Sequence, residues 1–297
     1  MAGIKLYASL VVVVIALGGC SMMRLGYEAL PTLISWQVGR YLDLDDGQRA
    51  IVGRRVEALH QWHQHAQLPY YAEMLREVRE RVEVGVATED LGRWREQVAQ
   101  AWEVIADRMA PGVAELALTL RSEQVEHLRE RLAESAAESR RKMLPDGDEA
   151  RYRARQERVV ARAEFFLGGL GGAQQKALQP VVRGMPAIEE DWLAEREARN
   201  QQLLALLNKI RRERPSKVEA TRLCREFLRS FWRGADAQRR QRIELGIVAS
   251  DALTAKLVAG ASPKQRQHLL ELLEKFSTDF ESLAASAASS SRARGGS

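Results

Sequence analysis

Cysteine, proline and aromatic residues are scarce in this 297-residue chain, which has two Cys, eight Pro and only 6% Phe, Trp and Tyr together. Two cysteines cannot build the disulfide framework of a small secreted scaffold. So few prolines and aromatics, set against abundant Ala, Leu, Arg and Glu, argue against a sandwich or barrel made of many turns. The apolar run from Leu6 to Leu17, broken only by Ser9, falls short of the roughly 20 residues that a membrane-spanning helix requires. Neither sign of charge dominates, with 45 Lys+Arg against 40 Asp+Glu and a net charge of +5. With 45% hydrophobic residues, this is the composition of a folded chain and not of a disordered one.

The run that is too short to span has the length of a signal-peptide core, with Lys5 as the side-chain cation before it. Leu17-Gly18-Gly19-Cys20 follows and resembles the lipobox of bacterial lipoproteins. The resemblance implies cleavage between Gly19 and Cys20, lipidation of Cys20 and removal of residues 1–19. Ser21 stands where an Asp would signal retention at the inner membrane, so the implied destination is the outer membrane, with the chain facing the periplasm. One acyl chain holds a protein marginally, whereas several hold it firmly. The remaining Cys224 lies on the pattern Leu223, Cys224, Phe227, Phe231 and reads as a small packed hydrophobe.

From residue 20 onward, apolar residues recur at helical spacing and no stretch alternates as a strand would. Breaks are expected at Pro31, Leu42 to Gly47, Leu68-Pro69, Gly85 to Thr88, Pro111-Gly112, Pro145 to Gly147, Gly168 to Gly172, Gly184 to Pro186, Arg214-Pro215, Gly234 and Gly260 to Pro263. The expected fold is all-α, a bundle of about ten antiparallel helices over residues 20–283 with room for two subdomains meeting near 145–170. Residues 284–297, rich in Ala and Ser without apolar periodicity, read as a disordered tail.

Four helix starts share one pattern. Gln48 is followed at +4 and +8 by Val52 and Val56, Gln124 by Leu128 and Leu132, Gln174 by Leu178 and Val182, and Gln265 by Leu269 and Leu273. These positions share one helix face. Asp45 and Ser262 are placed to cap their helices, with Gln48 and Gln265 reaching back as capping boxes. Arg121 and Gly171 suit the cap position less well. Gln124 and Gln265 also share Gln-x-x-His, with His127 and His268. The spacings between successive glutamines, 76, 50 and 91, are too uneven for a solenoid.

The pattern resembles the LTxxQ motif of Spy/CpxP-type periplasmic proteins, in degenerate copies without the usual Thr. That likeness implies a helical cradle for unfolded clients, with Asp45, Gln48, Gln124, Gln174, Ser262 and Gln265 on a partner-holding surface. The stretch from Tyr27 to Leu75, with Trp36, Tyr41 to Gln48, Leu59 to Trp62 and Leu68 to Tyr71, resembles a family of proteobacterial lipoproteins of unassigned function. It implies no activity.

Candidates for chemistry are few. His60 and His63 share a helix face with Glu57 and could offer imidazoles to a metal. His63 also continues the stripe Val52, Val56, Leu59, which places it in the core. Tyr41, Asp43, Asp45 and Asp46 make an acidic corner where paired carboxylates could do acid–base work. Gly168 to Gly172 has the composition of a phosphate loop, yet no strand precedes it and no Gly-Lys-Ser/Thr follows. Of the 45 cations 37 are Arg, mostly interleaved with Glu as on solvated helix faces. An export signal leaves nucleic acid out of reach, while anionic lipid or lipopolysaccharide remains available. The expectation is a non-enzymatic outer-membrane lipoprotein without cofactor, holding a partner or client protein in envelope stress or assembly. The rival is an envelope-polymer hydrolase or metal-dependent enzyme centred on Glu57, His60 and His63 or on Asp43 to Asp46.

Overall fold

The computed structural model describes residues 20–295 apart from 233 and 235, and these form twelve α-helices and one 3₁₀ turn, with no strand among them. The expected signal peptide, residues 1–19 with Gly19, lies outside the described residues, as does the side chain of Cys20. The helices are α1 Cys20–Glu28, α2 Leu30–Leu42, α3 Asp46–Ala66, α4 Leu68–Val84, α5 Thr88–Ala117 and α6 Ser122–Met143. After them come α7 Asp148–Leu167, α8 Gly172–Gly184, α9 Glu189–Glu213, α10 Lys217–Arg229, the 3₁₀ turn Ser230–Trp232, α11 Ala237–Ala259 and α12 Pro263–Gly295. None of these helices is long and apolar enough to cross a membrane.

All but one of the expected breaks coincide with a junction. Pro111-Gly112 does not interrupt its helix, and the break falls instead at 118–121. An internal proline removes one helical hydrogen bond, but here packing outweighs that loss. Ala106, Ala110, Ala114 and Ala117 are at most 1% exposed, a stripe of small side chains that lets α10 lie close along α5. Gly112 serves a second close approach, because a Cβ there would come within 3.1 Å of the Arg55 side chain on α3. The end of the chain also departs from expectation. Instead of a structureless tail from Ala284, α12 continues to Gly295. Leu283 is buried at 1% exposure, the Ser286 hydroxyl donates to the Ser282 carbonyl at 2.8 Å, and alanine is the strongest helix former.

Each glutamine-bearing helix start joins two helices, so α2, α3, α5 and α6 form one quartet and α7, α8, α11 and α12 a second. The helices between the starts of one quartet cover the other. Thus α4 lies along α12, while α9 lies along α6 and α10 along α5. The two quartets are consecutive in the chain, joined between α6 and α7, and each is covered by helices lying between the starts of the other. The larger core belongs to the first quartet, where Leu42, Leu44, Val52, Leu120, Leu128 and Leu132 meet Leu207, Ile210 and Cys224 of the covering helices. Burying one such aliphatic side chain stabilises by about 1.5–3 kcal/mol. The second quartet has two smaller clusters, one around Val82, Leu167, Leu269 and Leu273 and one around Leu178, Val182 and Leu253.

Candidate functional site

The four glutamines pair with one another, Gln48, Gln124 and Gln265 buried and Gln174 half-buried. Gln48 and Gln124, each 3% exposed, exchange two hydrogen bonds through their side-chain amides, Gln48 Nε2 to Gln124 Oε1 at 3.0 Å and Gln124 Nε2 to Gln48 Oε1 at 2.6 Å. Each amide nitrogen also donates to the other loop, Gln48 to the Thr119 carbonyl at 3.1 Å and Gln124 to the Asp43 carbonyl at 2.9 Å. Each amide oxygen accepts from its own cap residue, from Asp45 N–H at 3.1 Å and Arg121 N–H at 3.0 Å. All the hydrogen-bonding capacity that burial would otherwise leave unmet is thereby used. Asp45 completes its capping box by accepting from Gln48 N–H at 2.9 Å and receives Arg121 Nη1 at 2.7 Å. The Gln48 N–H, with that guanidinium, holds the Asp45 carboxyl below the usual carboxylate range. Asp46 is exposed and pairs with Arg49, so the acidic corner caps a helix.

A second joint repeats this arrangement. Gln174 and Gln265 exchange amide hydrogen bonds at 3.0 and 2.9 Å, and Gln265 Nε2 also donates to the Gly169 carbonyl at 2.6 Å. Their oxygens accept from Gly171 N–H at 3.0 Å and Ser262 N–H at 2.9 Å, while Ser262 Oγ accepts from Gln265 N–H at 3.3 Å. The Gln-x-x-His histidines are equivalent too. His127 Nε2 donates to the Arg40 carbonyl at 3.1 Å and His268 Nε2 to the Phe165 carbonyl at 3.4 Å, each in the last turn of the helix that leads into the opposing start. The glycine-rich loop serves this packing. Gly168 has φ +70°, and a Cβ there would lie 2.8 Å from the His268 ring. One signal for the pairing was in the sequence: the histidine occurs only in the second member of each pair, with Ile51 and Ala177 in the first.

His60 and His63 fasten α1 to the bundle. The His60 Nε2–H donates to the Tyr27 carbonyl at 3.1 Å, and the Tyr27 hydroxyl and His63 Nδ1 are 2.8 Å apart. The His63 ring also packs against Tyr71, which in turn meets Phe280 of α12. Burial lowers the pKa of both imidazoles, that of His63 to about 4, and raises that of Tyr71 to about 12. Among the described residues no three His, Cys, Asp or Glu side chains converge as metal ligands would. Glu57 instead accepts from Gln61 at 2.7 Å. Cys224 is fully buried and desolvation pushes its thiol up to about 11, so it is inert as a nucleophile.

A concave feature lies elsewhere among the described residues and was not anticipated. A cavity of about 260 Å³ opens between α4, α5, α7, α11 and α12, with Val82, Trp94, Ala163, Leu167, Leu253 and Leu269 in its wall. Only Arg162, Ser250 and Thr254 are polar among its lining side chains, apart from the Trp94 indole N–H. That N–H is buried with no acceptor among the described residues, an omission that ordinarily costs about 1–3 kcal/mol. The cavity arises because the quartets are covered unequally. Two helices, α9 and α10, fill the first, whereas the second receives α4 and the start of α5. Its Leu269 and Leu273 are the +4 and +8 aliphatics of Gln265, so the second joint positions one wall.

Fold and site together define an all-α protein whose paired helix starts are locked by reciprocal glutamine amides beside an apolar cavity. The chain belongs to a family of unknown function, DUF6279, which it matches over residues 40–230. That span holds the first joint and Gln174, and leaves Cys20, Gln265 and the α11 and α12 walls of the cavity outside it. No curated protein matches the chain, and no solved structure does.

Proposed function

We propose that this chain is an outer-membrane lipoprotein anchored through Cys20, facing the periplasm, and that it works by binding and carries out no chemistry. Its partner, a client in envelope stress or assembly, inserts an apolar group into the cavity between α4, α5, α7, α11 and α12. The observation that carries this reading is the chemistry of the cavity. Its walls are aliphatic and aromatic, as in sites that bind through apolar burial, while Glu57, His60, His63 and Asp43 to Asp46 line no part of it. The lipobox resemblance at Leu17 to Cys20 supports the address.

Two measurements test the proposal. Cys20→Ala abolishes palmitate labelling and outer-membrane fractionation; a wild type that carries no lipid label and fractionates unchanged from the mutant refutes the anchor. A photoreactive amino acid at Phe166, 39% exposed at the cavity, captures a partner in cells, and one at Val218, 81% exposed on α10, does not. Equal capture at both positions refutes the site.

A further inference from the structure

We infer that the cavity receives one hydrocarbon chain carrying an anionic head, carboxylate or phosphate, with Arg162 as the head-group residue. This rests on the binding reading above and names the occupant.

Three observations point to it. First, the space suits an apolar chain. Dry cavities lined by aliphatic and aromatic side chains take up apolar guests at about 150 Å³, and this one is larger at about 260 Å³. Second, the cationic side chain at the cavity is free. Arg162 is exposed and makes no hydrogen bond or ion pair with the described residues, although Arg155 and Arg158 earlier on the same helix are both engaged by Glu189 at 2.6–2.8 Å. No carboxylate lines the cavity to compete for it. Third, the lining favours insertion of a single chain over a broad flat contact. A stable protein interface covers about 800 Å² on each partner and has an apolar centre. Of the large apolar residues lining the cavity, only Phe166 is strongly exposed.

The test uses the chain from residue 20 to 297 carrying Cys20→Ser, which needs no detergent, titrated with dodecanoate, dodecyl phosphate and uncharged dodecanol below their micelle concentrations. The anionic probes bind saturably, one per chain, and raise the melting temperature; the stronger of the two identifies the head group. Arg162→Glu, a surface change that leaves the fold intact, replaces attraction by repulsion and weakens anionic binding by about tenfold or more, with dodecanol affected by less than about twofold. Ala163→Phe fills the cavity and abolishes binding of all three, and Thr254→Trp, at an exposed lining position, does the same should Ala163→Phe fail to fold. Binding that survives in both folded blocked variants, or that responds to Arg162→Glu equally for charged and uncharged probes, overturns the inference. A wild type that binds none of the probes, yet captures a protein at residue 166 in cells, also overturns it while leaving the binding reading intact. If it does neither, both fall.

Discussion

Gln48→Ala separates a helix cap from a joint. A glutamine that only completes a capping box contributes less than the cap itself, whose loss costs about 0.5–2 kcal/mol. The structure reverses that order. Gln48 is 3% exposed, and its truncation strands the Asp45 N–H, the Thr119 carbonyl and one side of the Gln124 amide. Of these only the Gln124 amide belongs to a buried residue, Asp45 and Thr119 being exposed; a buried orphan costs about 1–3 kcal/mol, and with the lost loop and cap bonds the expected total is about 2–4 kcal/mol. Asp45→Ala removes an exposed carboxylate that accepts one backbone N–H and pairs with Arg121, so about 1 kcal/mol is expected. Because Gln48 and Gln124 serve each other, Gln48→Ala/Gln124→Ala costs less than the two single changes added, with a coupling of about 1–3 kcal/mol. Urea denaturation of the four variants measures all of this. Asp45→Ala as costly as Gln48→Ala, or additivity of the glutamine pair within about 0.5 kcal/mol, refutes the joint.

Acid should loosen the attachment of α1. His63 is neutral in the folded chain with its pKa depressed to about 4 against an ordinary value of about 6.5. Its contribution is therefore complete above pH 6.5 and is lost as pH falls towards 4, by up to about 3 kcal/mol. His60 shifts in the same direction. Asp90, held at about 2 by the Ala87 N–H and the Arg81 and Arg93 guanidiniums, acts only at lower pH. Denaturation midpoints between pH 7.5 and 4.5 should fall in the wild type and much less in His63→Leu; equal slopes contradict the assignment. At the second joint, Gly168→Ala meets both a positive φ and the His268 ring, for an expected cost of about 2–4 kcal/mol. Gly53→Ala, mid-helix with open space around its Cβ position, should gain about 0.5–1 kcal/mol. Thermal melts that rank these two the other way refute the account of the loop.

Helix type and most junctions were legible because they depend on local signals: apolar period, caps, glycine and proline. Pro111 misled because its neighbours are alanines, and the depth to which Ala110 and Ala114 are buried depends on α10, more than a hundred residues away. The glutamine starts were visible as a repeat, and their aliphatics at +4 and +8 are buried at every position except the half-buried Val56. What the repeat means was not visible. A glutamine at N3 has the same local signature whether its amide ends in solvent or on a second glutamine 76 or 91 residues along the chain. The cavity had no signature at all, since Leu253, Leu269 and Val82 look like any core stripe until the helix that should cover them is found to be missing.

Unequal filling of two similar joints also makes a prediction about where the protein gives up stability for a vacant space. In the first quartet Ala114 is 0% exposed within the cluster closed by Ile210 and Cys224, so Ala114→Leu forces three carbons into occupied volume and should cost about 1–3 kcal/mol. In the second, Ala163 is nearly as buried, at 7% exposure, but lines the cavity. Ala163→Leu adds the same three carbons where there is room, and at about 0.8 kcal/mol for each it should stabilise by up to about 2 kcal/mol. Opposite signs in urea denaturation would mean that the second core is left open at the expense of stability, the pattern expected when vacancy serves binding. A loss at both positions would mean that the cavity closes in solution, and the ligand reading would go with it.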